Sequence, residues 1–154
     1  MRIEKNEKKY ASKCQALARD LREHFQALDM DALNTSLRDD LVYAALDDTK
    51  QTVLAFLCLR RTNAKAAEIT HFAAGGEKWT AGAAAALLER AAADAKTKGA
   101  RLLSLKAVDP GTGYEPFRAA WDFCARQGFV TVASIDPFPG WEPGRACAVM
   151  VKIL

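Results

Sequence analysis

The turn Thr80-Ala81-Gly82-Ala83-Ala84 is almost free of side chains, and Lys78 lies just upstream of it. If a helix begins there, its first N–H groups lack intrahelical partners and carry partial positive charge. Small residues let a phosphate approach them, so the turn is a candidate anion site. It is not a Walker loop, because no Gly-Lys-Ser/Thr follows, and GxGxxG is absent. The plainer reading is that Gly82 and the alanines only let a helix pack close to a sheet. Upstream, Glu68 and His71 share one strand-like stretch. A carboxylate, ordinarily near ~4.3, accepts an ammonium proton only if burial raises it or water relays the proton. Glu68 is therefore either a general base or a strand carboxylate in a surface pair. His71 is either a base or substrate-side group or a hydrogen-bonded strand histidine. Cys124 is either a proton-bearing thiol in a site or a small buried core residue. Trp79, Trp121 and Trp141 either line a pocket or serve as large packing groups.

The rest of the composition narrows the field. The chain has 154 residues, 50% hydrophobic and 27% charged, which describes one folded domain rather than a disordered segment. Its net charge of +3 is too small to demand a nucleic-acid partner. No apolar run approaches the ~18 residues of a membrane helix, so no membrane partner is expected. Met1-Arg2-Ile3-Glu4-Lys5 is charged, with no apolar segment behind it to make a secretory signal. The four cysteines, Cys14, Cys58, Cys124 and Cys147, and the two histidines, His24 and His71, show no ligand spacing. No metal is expected, and free thiols in a cytoplasmic protein are the plain reading.

Several elements must position these residues. The first ~30 residues read as helix, with Tyr10, Cys14, Leu17, Leu21, Phe25 and Leu28 at spacings of three and four. A short helix over Met30 to Leu37 follows, with Asp29 as its N-cap. Leu41 to Leu46 and Thr52 to Leu59, joined by a polar turn, read as an antiparallel hairpin. Ala66 to Phe72 is a third strand. An Ala-rich helix buries Leu87, Leu88, Ala91 and Ala95 and stops at Gly99. Leu102 to Val108 is the next strand. Strand, helix, strand with short joints makes a βαβ unit, so these two strands should be parallel. Pro116 opens a helix carrying Phe117, Ala120, Trp121 and Cys124, which Gly128 ends. Strands over Phe129 to Ile135 and Arg145 to Leu154 complete the chain.

This order resembles the GNAT acyltransferases over roughly Phe25 to Leu154. Ala67-Glu68-Ile69 is similar to the start of that family's central strand. Trp79-Thr80-Ala81-Gly82-Ala83-Ala84 falls where the family carries Arg/Gln-x-x-Gly-x-Gly/Ala, and Phe123-Cys124-Ala125-Arg126-Gln127-Gly128-Phe129 where it carries Phe-Tyr-x-x-x-Gly-Phe. Leu105-Lys106-Ala107-Val108, Tyr114-Glu115-Pro116-Phe117 and Met150-Val151-Lys152-Ile153-Leu154 resemble one branch of small bacterial members.

The resemblance implies a single α/β GNAT-like domain over 1–154: a central mixed β-sheet with a splayed parallel strand pair, flanked by helices. It implies acetyl transfer from acetyl-CoA to an amine of a small molecule or protein, by direct attack in a ternary complex. The pyrophosphate would sit at Trp79, Thr80, Ala81, Gly82, Ala83 and Ala84, and the pantetheine arm near Thr70 to Ala74, with Phe72, Ala73 and Ala74 as its contacts. Glu68 aligns with a general base of some members. Cys124 stands where the family's proton-donating tyrosine is expected, Trp79 at the Arg/Gln position, and Ala120-Trp121 for Thr-Arg. The alternative is a non-catalytic acyl-CoA-binding or interaction module. The acceptor is not named by the sequence, and a homodimer is left open.

Overall fold

The computed structural model describes residues 1–5, 8–21, 29–49, 51–75 and 82–154. Among these, seven strands form one sheet: β1 (Arg2–Lys5), β2 (Leu41–Leu46), β3 (Val53–Arg61), β4 (Ala66–Ala74), β5 (Leu102–Val108), β6 (Val130–Ile135) and β7 (Cys147–Ile153). Their spatial order is β1-β2-β3-β4-β5-β7-β6, and every neighbouring pair is antiparallel except β4 and β5. The parallel pair follows from the crossover helix between them, which returns the chain to the same end of the sheet.

Helices cover both faces. The crossover helix α3 (Ala83–Thr97) buries Leu87, Leu88, Ala91 and Ala95 against Tyr43, Leu57 and Leu103. α4 (Arg118–Arg126) adds Phe123 and Cys124 to the same core. On the other face α1 (Ala11–Asp20) and α2 (Met30–Asp39) place Cys14, Leu33 and Leu37 over Val42, Phe56 and Cys58. Full burial of each such leucine contributes roughly 1.5–3 kcal/mol. Asp29 caps α2 as its type predicts, accepting from the N–H groups of Asp31 at 3.0 Å and Ala32 at 3.1 Å. Gly99 stops α3 at a φ of +91°, a value that favours glycine.

The chain start departs from the expected helix. Ile3 is flanked by Arg2 and Glu4, and in an extended backbone its side chain packs against the core. It pairs with Ala45 as part of an edge strand, and α1 begins only at Ala11. Phe25 and Leu28 of the expected stripe lie outside the described residues. At the opposite edge, all six residues of β6 are exposed. Among the described residues no helix is long and apolar enough to cross a membrane.

Candidate active site

The parallel ladder is short. It joins Ala66, Ala67, Glu68 and Ile69 to Leu102, Leu103, Ser104 and Leu105, and then stops. β4 runs on to Ala74 beside β3, and β5 runs on to Val108 beside β7. The two strands part in the middle of the sheet, and a cleft of about 540 Å³ opens where they separate. Ala32 and Ser36 of α2 border it on one face, and Ala120 and Cys124 of α4 on the other.

A bulge marks the same place. His71 pairs with Cys58 and Ile69 with Leu59, so Thr70 is an extra residue on β4. Its hydroxyl donates to Oδ2 of Asp40 at 2.8 Å. Asp40 ends α2, and its side chain is only 2% exposed. Arg60 on β3 donates to the same carboxylate through Nε at 2.9 Å and Nη2 at 3.3 Å. A buried carboxylate needs such partners, because an unpaired one is costly to desolvate. One acid therefore holds the helix end, the bulge and a guanidinium that borders the cleft.

Glu68 borders the cleft and is half-buried. Lys106 of β5 forms a direct ion pair with its Oε1. Arg60 lies across the β3–β4 ladder from Glu68. His71 also borders the cleft, beyond the point of separation. Its Nδ1 is buried and meets no hydrogen-bond partner among the described residues. Burial pushes the imidazole below its ordinary pKa, so the ring is neutral near pH 7. The hydrogen-bonded strand histidine, one of the two expectations from sequence, is not what forms at Nδ1.

Cys124 reaches the cleft from α4 but is only 4% exposed. Burial pushes its thiol up to about 12. Phe72 borders the cleft and meets Phe123 edge-on, with ring centroids 5.8 Å apart. Ala73 and Ala74 are buried in the cores on opposite faces. Gly82 is the N-cap of α3, at a φ of +92° with nothing within 4 Å of where a Cβ would stand. Ala83 and Ala84 point into the core, so their smallness brings α3 close to the sheet. Trp79, Thr80 and Ala81 lie outside the described residues. Trp141 borders the cleft, while Trp121 packs against the core with an indole nitrogen that meets no hydrogen-bond partner among the described residues.

The sequence points to Thr70 only as the start of the pantetheine stretch and gives no site role to Asp40 or Arg60. An Asp just after a helix and an Arg ending an apolar run are ordinary surface signals. Only the bulge brings the three together. All four cysteines are free and buried, and no group of three or more metal-ligating side chains gathers among the described residues.

Comparison with known proteins agrees with this geometry. The model of the acetyltransferase (GNAT) family matches residues 10–129. The chain belongs to the GNAT acetyltransferase family. No curated protein matches it significantly by sequence. Among solved structures, aminoglycoside 6'-acetyltransferase type Ii superposes with a TM-score of 0.76 at 14% identity, covering 99% of this chain and 97% of that one. An aminoglycoside 6'-N-acetyltransferase complexed with coenzyme A gives 0.74 at 14%, again over 99% and 97%. A GNAT family acetyltransferase from Elizabethkingia anophelis with acetyl-CoA bound gives 0.63 at 18%, over 82% and 84%. At such identities the likeness is one of fold.

Proposed function

We propose that residues 1–154 form one acetyltransferase domain that moves the acetyl group of acetyl-CoA to an amine by direct attack. The observation that carries this reading is the early end of the β4–β5 ladder at Ile69 and Leu105, with a cleft between the two sheet faces. Past Ile69 the β4–β5 ladder has ended, and the stretch Phe72, Ala73 and Ala74 is the proposed seat of an extended amide-bearing arm. The positive end of α3 at Gly82, Ala83 and Ala84, with Trp79, Thr80 and Ala81 preceding it in sequence, is the proposed pyrophosphate seat.

In the reaction the amine lone pair attacks the thioester carbonyl carbon and forms the C–N bond. The C–S bond then breaks, the nitrogen gives up a proton, and the thiolate gains one. Glu68 and His71 are the two groups on β4 able to take the proton. Glu68 is engaged by Lys106, whereas the neutral His71 ring has a lone pair to offer.

Cys124 has two open roles, proton donor and packing group. A thiol at about 12 giving its proton to an ordinary thiolate runs uphill by roughly 5 kcal/mol. Its burial favours packing. This same observation favours a second reading, an acyl-CoA-binding module without turnover.

Release of CoA thiol separates the two. The enzyme reading expects acetyl-CoA to stabilise the protein and thiol to appear with at least one amine of a broad panel. Binding with no thiol release identifies the module, and absence of binding overturns both.

A further inference from the structure

Three charged side chains stand in a row on one face of the sheet at the mouth of the cleft. Arg60 on β3 is the cross-strand partner of Glu68 on β4, and Lys106 of β5 reaches Glu68 from the other side. They are the charged residues among those that border the cleft. The order across three neighbouring strands is positive, negative, positive, with strands roughly 4.8 Å apart.

This row is partly solvated and is not a closed structural pair. The side chains of Arg60, Glu68 and Lys106 are 48%, 21% and 39% exposed. Arg60 is held from behind. Asp40 takes its Nε and Nη2, and Thr70 steadies the same carboxylate. Nη1 is not used by that clamp. A guanidinium fixed in this way loses little freedom when it binds a second carboxylate. Lys106 occupies Oε1 of Glu68 and leaves Oε2 for a ligand cation.

We propose that the acceptor is a small zwitterion, an amine that also carries a carboxylate, such as a free amino acid. Its acid group meets Arg60, and its nitrogen lies beside Glu68 at the point where β4 and β5 part. A polycationic acceptor meets two like charges in the same row and one opposite charge. This inference rests on the acetyl-transfer reading above.

The test uses matched pairs. CoA thiol release is measured with free L-amino acids, with the corresponding L-amino acid amides, and with spermidine. The expected result is a kcat/KM at least tenfold higher for the acids than for their amides, with spermidine lower still. Arg60→Lys should reduce the acid-to-amide ratio to about threefold or less, because kcat/KM falls more on the acids than on the amides. Because Arg60→Lys loosens the buried Asp40, the paired variant Asp40→Asn/Arg60→Gln keeps a neutral hydrogen-bonded contact and should flatten the ratio likewise. Acetyl-CoA binding should be unaltered in both variants. Amides or spermidine used as well as the acids, or a ratio that survives in both variants, overturns the proposal alone. A wild type that acetylates no amine overturns it together with the enzyme reading.

Discussion

The Thr70 hydroxyl donates to Asp40 across 2.8 Å, and so ties the one unpaired residue of the β4 bulge to the end of α2. Thr70→Val keeps the shape and removes that donor. A lost buried hydrogen bond of this kind costs about 1 kcal/mol, more for one to a charged acceptor. The variant should unfold at lower urea with an unchanged slope, and its kcat on any acceptor should drop, because the bulge is no longer held. Unchanged stability and rate together would show that the bulge needs no anchor.

Gly82 separates backbone strain from ligand approach. Its φ of +92° costs an ordinary residue about 1–2 kcal/mol, and no neighbour lies within 4 Å of an added Cβ. Gly82→Ala should therefore lose roughly that much stability by strain alone. Gly82→Glu adds a negative charge at the helix start, so the thermal shift given by acetyl-CoA should vanish. A Gly82→Glu protein that is stabilised by acetyl-CoA like wild type places the phosphates elsewhere.

Cys124 is read here as a packing group. Cys124→Ala should cost about 1 kcal/mol of stability, as for a small buried side chain, and leave kcat nearly unchanged. A fall in kcat of ~10²-fold at constant acetyl-CoA affinity would instead make the thiol a proton donor. Cys124→Tyr supplies the family's phenol and should raise turnover only if the cleft admits the ring.

His71 makes stability depend on pH. Its folded-state pKa lies below the ordinary 6.5 because burial penalises the charged ring. Below about pH 6.5 the unfolded chain takes up a proton that the folded ring resists, so stability falls as the pH drops. Asp40 and Asp29 beside α2, and Glu68 on β4, oppose this shift, while Arg60 on β3 reinforces it. Urea midpoints at pH 7.5 and 5.5 should differ more for wild type than for His71→Gln. Equal differences would mean that the ring titrates normally.

Much of the scaffold was legible because the patterns that encode it are local. The hairpin, the βαβ unit, the Asp29 cap and the Gly99 stop each depend on residues close in sequence. The first strand was not legible, because Arg2–Lys5 has one apolar residue and pairs with β2 some forty positions away. Glu68, Phe72 and Cys124, which the family resemblance singles out, all border one cleft. The Asp40–Arg60–Thr70 clamp was hidden, since it arises from a one-residue register shift that no spacing announces. The sequence leaves phosphate approach and close helix packing both open for Ala83 and Ala84; their side chains are buried in the core, and their backbone N–H groups belong to the proposed phosphate seat.

Backbone hydrogen exchange with and without acetyl-CoA reads the seat of the ligand on β4 and α3 without needing an acceptor. If the pantetheine arm lies along β4 beyond Ile69 and the phosphates meet the start of α3, the amides of residues 70–75 and 82–86 should gain protection. Those of the exposed edge strand β6 should not change. Protection confined to other segments, or none at saturating acetyl-CoA, would contradict the account.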